Sequence, residues 1–223
     1  FDRKGRVFSG TNAGIRGLHY KQGAYYSKNW GKHGALTNPY AFGYFPHMKH
    51  TGNSDRFTHN MIIYEGGQLP AYYAGRFIGV NPLQNRIQTA RLEPLGSTFE
   101  TIETDRLVET PDTWFRPVDI EDGPDGALYV ADWYDTRLTH VDPSDNWHRS
   151  SGRIYRLTGG SAAPGEPFDL SQQSTGELID LLSNENKWYR ETALRMIGDR
   201  KDTSVVPRLE QMVENETGEL ALQ

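Results

Sequence analysis

The chain has 223 residues, 36% of them hydrophobic and 24% charged, with a formal net charge of −5; that length can bury a real core as one large domain or two small ones. It has no cysteine, which excludes a disulfide framework, a thiolate metal site and c-type haem attachment within this segment. No run approaches the ~18 apolar residues of a membrane-spanning helix. The charge is unevenly spread: residues 1–60 carry nine Lys/Arg against two Asp/Glu, a net of +7, whereas residues 61–223 carry 15 against 27, a net of −12. The basic end is suited to facing something anionic or polar. An opening of FDRKGRVF and a close on GELALQ, which reads as the first turn of a helix, are expected of a piece excised from a longer protein.

Along the chain, a turn at 2–5 leads into a short strand at 6–9, then into the loop GTNAG with carbonyls available. Residues 16–59 are basic and aromatic, and their Gly and Pro spacing forbids long helices while their alternation is too broken for long strands. A stretch of that length reads as a functional loop or lid, with Tyr25, Tyr26 and Trp30 as stacking surfaces over a ligand. The competing reading makes these aromatics the core of a decorated loop. Its histidines His47 and His50 are spaced i, i+3, but without a carboxylate at matching spacing they read as packing residues before metal ligands. No RNA-module motif accompanies the basic and aromatic residues, so nucleic acid is not an expected partner.

Strands are predicted at 61–64, 75–80 and 86–92, the last two joined by the turn NPLQN, and at 98–103 and 107–109. The chain is organised around residues 114–157. Val118 and Ile120 alternate with Asp119 and Glu121, the turn Gly123-Pro124-Asp125-Gly126 reverses the chain, and 127–133 returns apolar on both faces. With further strands at 137–141 and 153–157, this makes four antiparallel strands in about 44 residues, the period of a propeller blade. Residues 1–157 thus read as the C-terminal blades of a partial β-propeller carrying the loop 16–59. Residues 158–173 read as a Gly/Pro/Ser linker. From 174 to 223 the pattern is helical. Ser174 and Glu177 form a capping box before Leu178, Leu181 and Leu182; a second helix near 187–199 faces Tyr189, Ala193, Met196 and Ile197 inward; a third near 204–215 does so with Val206, Leu209 and Val213. Short amphipathic helices in series predict the start of HEAT-like repeats.

Three stretches carry a family resemblance. FRPVDIEDGPDGALYVADW followed by GRIYRL resembles the closing blade of the glucose/sorbosone dehydrogenases, six-bladed propellers that bind pyrroloquinoline quinone (PQQ). FDRKGRVFSGTNAG resembles the strand after their cofactor-contacting turn. GLHYKQGAYYSKNWGKHG stands where their Gly-Asn-Tyr-Gly-Trp-Pro segment does. With KHGALTNPYAFGYF and DNWHRSSGRIYRL, the arrangement is most similar to bacterial, planctomycete-type membrane-bound dehydrogenases, which place the protein in the periplasm and often carry a haem c domain downstream.

The resemblance implies a fragment of a quinoprotein-like dehydrogenase that oxidises a sugar or polyol with PQQ and Ca²⁺ and passes electrons to that haem domain. It puts the PQQ-contacting arginine on Arg116. A second family arginine falls on Trp114 and a binding lysine near Gln84, so two cations are replaced. The backbone carbonyls of Gly10 and Thr11 fall where Ca²⁺ is held, and the family's catalytic His lies in an earlier blade outside this chain. Two other readings stand beside it: a non-catalytic module binding a glycan or a protein, and a Ca²⁺-dependent lactonase-type propeller. Arg116 itself has a structural alternative, as an ion-pair partner of Asp119, Asp132 or Asp135. The segment Asp132-Trp133-Tyr134-Asp135 ends a strand where it either lines a site or supplies turn chemistry.

Overall fold

The computed structural model describes residues 1–10, 17–26, 39–52, 60–136, 144, 146–160 and 165–215. Twelve strands and three α-helices run in order among them: β1 (Val7–Ser9), β2 (Leu18–Tyr20), β3 (Ala24–Tyr26), β4 (Gly43–Phe45), β5 (Lys49–Thr51), β6 (Met61–Ile63), β7 (Phe77–Asn81), β8 (Arg86–Leu95), β9 (Thr98–Glu109), β10 (Pro117–Asp122), β11 (Leu128–Asp132), β12 (Arg153–Leu157), α1 (Thr175–Asp180), α2 (Lys187–Arg200) and α3 (Val206–Asn215). They form a five-stranded sheet ordered β5-β9-β8-β7-β6, a three-stranded sheet β10-β11-β12, and two ribbons, β1-β2 and β3-β4.

This arrangement overturns the expected β-propeller followed by HEAT-like repeats. The sheets are small and none is closed, the helices are short, and the fold is mixed α/β. The physical reason lies in pairing, which strand periodicity does not specify. The runs predicted at 98–103 and 107–109 are one strand of 12 residues, paired with a β8 of 10 residues as a long ribbon with register shifts near Gln88. β5, from within the basic stretch, joins the edge of β9 in parallel. β3 and β4 also pair in parallel. Blades of four antiparallel strands of similar length do not arise from such partners. The strand predicted at 137–141 lies outside the described residues.

β7 is buried along its whole length because both faces of its sheet are covered. Ile78, Val80 and Ile87 pack on one face with Ile120, Leu128 and Val130, so the two larger sheets share one core. On the other face Phe77, Ile63 and Ala90 meet Met48 and Phe99, with Phe8 against them. Tyr64, 1% exposed, pins the sheets together: its hydroxyl donates to the Gly126 carbonyl at 2.7 Å and accepts from the amides of Gln68 and Leu69. The turn before β11 forms as its sequence predicts, with Gly126 at φ +76°. A Cβ on Gly126 would lie 2.0 Å from the Gly66 carbonyl oxygen, so glycine is required for this close approach as well as for the turn.

The helices have a core of their own, built from Leu170, Leu178, Ile179, Leu182, Ala193 and Ile197. The capping box is formed, with Ser174 and Glu177 bonding each other's backbone amides. Leu209 and Met212 of α3 pack inward, but Val206 and Val213 are each 42% exposed, against the predicted inward face. Polar groups join this unit to the sheets. Asn186 Nδ2 donates to the carbonyls of Gly123 and Pro124 at 3.1 and 3.0 Å. The carboxylate of Glu65 receives both Arg3 and Arg190.

Candidate functional site

The site is built where the β7–β8 turn meets the ends of β10 and β11. Asn85, in a left-handed conformation at φ 55°, donates from Nδ2 to the carbonyl of Phe115 at 2.6 Å, which holds the turn 81–86 against residues 113–116. Arg116 then reaches back and donates from Nη1 to the Pro82 carbonyl at 3.1 Å and to that of Phe115 at 3.4 Å. Asp132, 3% exposed, is the lock: one carboxylate oxygen accepts the amides of Arg116 at 2.7 Å and Tyr134 at 2.9 Å. Trp133 N–H completes it by donating to the Arg116 carbonyl at 2.9 Å.

Burial pushes the Arg116 guanidinium down from its ordinary value, against the opposing pull of the Asp132, Asp135 and Asp112 carboxylates. The side chain thus feels the carboxylates of Asp132, Asp135 and Asp112, while its described hydrogen bonds go to backbone carbonyls. Its Nε and the second oxygen of Asp132 are buried and have no hydrogen-bond partner among the described residues.

Over this lock lies an aromatic rim. The Trp114 ring packs at 5.5 Å from Tyr134 and at 5.4 Å, edge-on, from His148. Tyr134 adopts φ 47°, a conformation that side-chain-bearing residues seldom take. Its amide is held by Asp132, and its carbonyl accepts from Ser151 Oγ at 3.0 Å. The Arg153 guanidinium carbon lies 3.6 Å from the centroid of the Tyr134 ring. His148 N–H donates to Asp135 at 2.7 Å, tying the 146–151 segment to the same buried carboxylates. Trp133 is 50% exposed and packs edge-on at 5.7 Å against Trp147, the residue before His148. The result is a fixed apolar-faced surface with cationic and hydroxyl groups at its margin.

Three residues predicted from the sequence, Gln84, Trp114 and Arg116, are therefore neighbours in one region. Their arrangement does not fit PQQ. Arg116 is 6% exposed and its Nη1 is engaged with backbone carbonyls. The amide oxygen of Gln84 is occupied by Asn81 Nδ2 at 2.8 Å and by Arg86. A tricarboxylate would also meet the Asp112, Asp132 and Asp135 carboxylates, a like-charge encounter, while Arg116 is committed to backbone carbonyls and Arg86, likewise buried, to Gln84. Of the predicted Ca²⁺ pair, Gly10 is buried and Thr11 lies outside the described residues.

Tyr25 and Tyr26 lie on the separate β3–β4 ribbon against Tyr44, Tyr20 and Phe45, and Trp30 is outside the described residues. His47 packs on Tyr26 while His50 Nδ1 bonds Thr101 Oγ1 at 2.9 Å, so the two face different partners. His148 and Ser151 were missed by motif reasoning. The signal for them was the run DNWHRSSG placed directly before β12, which returns the chain beside β11.

The comparisons with known proteins bear on this β-rich part. No curated protein and no solved structure matches the chain. One family model, described as Domain of unknown function (DUF7133), matches residues 1–160, which hold all twelve strands and every residue of the rim, and ends before the helices. The chain belongs to the DUF7133 family.

Proposed function

We propose that the chain is a recognition module that binds a glycan or related polyol on the Trp114–Tyr134–His148 rim. The observation that carries this reading is Tyr134, held in a strained left-handed conformation by Asp132 and Ser151 so that its ring is presented between Trp114 and Arg153. Strain of this kind persists where surrounding bonds over-determine it, and it concentrates at binding surfaces. Aromatic rings offer flat apolar faces to the C–H faces of sugar rings, while side chains at their edges exchange hydrogen bonds with hydroxyls.

Here the edge groups are Arg153, Ser151 and His148, and the exposed indole of Trp133 extends the platform. Asp132 and Arg116 act beneath it as positioning residues that fix the backbone from which the rings project. The reading keeps the ligand class implied by the dehydrogenase resemblance and assigns no redox step to these residues.

Calorimetric titration of the chain with cellohexaose, maltohexaose and xylohexaose tests it. Trp133→Ala, at a half-exposed position, leaves the fold intact and weakens binding of the preferred oligosaccharide by about tenfold or more. Absence of binding to all three at millimolar ligand, or an affinity indifferent to Trp133→Ala, would contradict it.

A further inference from the structure

A second recognition site lies where the helices dock. A cavity of about 780 Å³ opens between the β10–β11 turn, the segment at 165–169 and the side of α2. Its wall is aromatic. Phe168 is 48% exposed, stacks on Tyr189 at 5.7 Å with 30° between the rings, and meets Trp188 edge-on at 5.7 Å. Among the described residues four carboxylates line it, Asp125, Glu166, Asp169 and Asp199, with one cation, Arg195.

These carboxylates divide into two kinds. Asp125 is fixed by Arg156 Nε at 2.6 Å and by Tyr129, and Asp169 is fixed by the Ser171 amide at 2.9 Å and by Gln172. Glu166 and Asp199 are exposed and have no protein partner among the described residues. A net negative lining with two uncommitted carboxylates beside open aromatic faces favours a cation carried on an apolar stem. Arginine meets both demands, since its planar guanidinium stacks on rings and pairs with carboxylates. A neutral sugar would leave the net negative charge of this lining unanswered.

We infer that this cavity docks an arginine- or lysine-bearing peptide segment of a partner protein, with Phe168 as the stacking face and Glu166 and Asp199 as counter-ions. The site is separate from the Trp114 rim and stands or falls without it. It exists only with the helical unit in place, because Phe168, Trp188, Tyr189 and Asp199 all lie beyond the family-matched residues.

Tri-arginine is the probe, titrated calorimetrically into the full chain at low and at raised ionic strength. Binding should weaken with salt, and should fall by about tenfold in Glu166→Gln/Asp199→Asn and again in Phe168→Ala. Trp133→Ala should leave it unchanged. Both acids and Phe168 are solvent-exposed, and an unaltered thermal transition of the variants confirms that the fold is intact. Failure of tri-arginine to bind, indifference to Glu166→Gln/Asp199→Asn, displacement of tri-arginine by maltohexaose, or sensitivity to Trp133→Ala would each overturn the assignment.

Discussion

The β-rich body and the helical unit are held by different physics. Within the body, two sheets share an apolar core in which Ile78, Leu128 and Val130 are fully buried. The helical unit completes its own core, and its described links to the body include the Glu65 clasp and the amide of Asn186. Apolar burial is non-directional and cumulative, whereas a few polar links can be broken singly. The body can therefore hold the Trp114 rim rigid, while the cavity at the junction depends on links that charge and pH reach.

The sharpest way to break the comparison is through the shared core. Leu128→Ala should cost about 4–5 kcal/mol, the upper part of the large-to-small range, because the side chain is 0% exposed and packed from both sheets. Urea denaturation measures it. A loss under ~1 kcal/mol would mean the sheets do not depend on a common core.

The junction should respond to pH through Asp122 at the end of β10, in a cavity with Lys187, Glu191 and Glu121. Burial raises its carboxyl from 3.8 to about 7, with Lys187 opposing the rise and Glu191, Glu65 and Glu121 adding to it. The folded state thus binds this proton more tightly than the unfolded one. The associated stability is complete below pH ~4, declines as the pH rises, and is gone above pH ~7. Asp122→Asn should therefore be about 4 kcal/mol more stable than the parent at pH 8 and little different near pH 4. Equal pH profiles for the two proteins would refute a buried, proton-holding Asp122.

Smaller effects should separate the two regions. Glu65→Gln should cost about 1–2 kcal/mol, since Arg190 retains the carbonyls of Asn184 and Glu185. Hydrogen exchange should quicken at the α2 N-terminus and leave β7 and β8 protected. Ser174→Ala should cost about 1 kcal/mol by removing the capping box, confined to α1.

What the sequence made legible follows the same division. Signals carried by neighbouring residues were readable: the turn at 123–126, the capping box at Ser174, and the inward face of α2 at Ala193 and Ile197. Signals that depend on which strands meet were not. Local alternation does not show that β5 runs parallel to β9, nor that β8 and β9 continue as one long ribbon past the expected blade edges. At the site, the family resemblance pointed to Trp114 and Arg116, and the strand-end run of acidic and aromatic residues drew attention to Asp132–Asp135. The clasp of Asn85 on Phe115 and the left-handed Tyr134 arise from tertiary bonds and leave no motif. The regular spacing of 114–157 suggested a propeller blade, but three-stranded pairing satisfies the described part of that pattern equally well.

The five tryptophans allow the most direct test of the rim as the ligand site. In an NMR titration of the chain with its preferred oligosaccharide, the indole N–H resonances of Trp114, Trp133 and Trp147 should shift together. Those of Trp188, at the junction, and Trp30, in the basic stretch, should stay in place. Shifts confined to Trp188 or Trp30, or no shift at saturating ligand, would contradict the account.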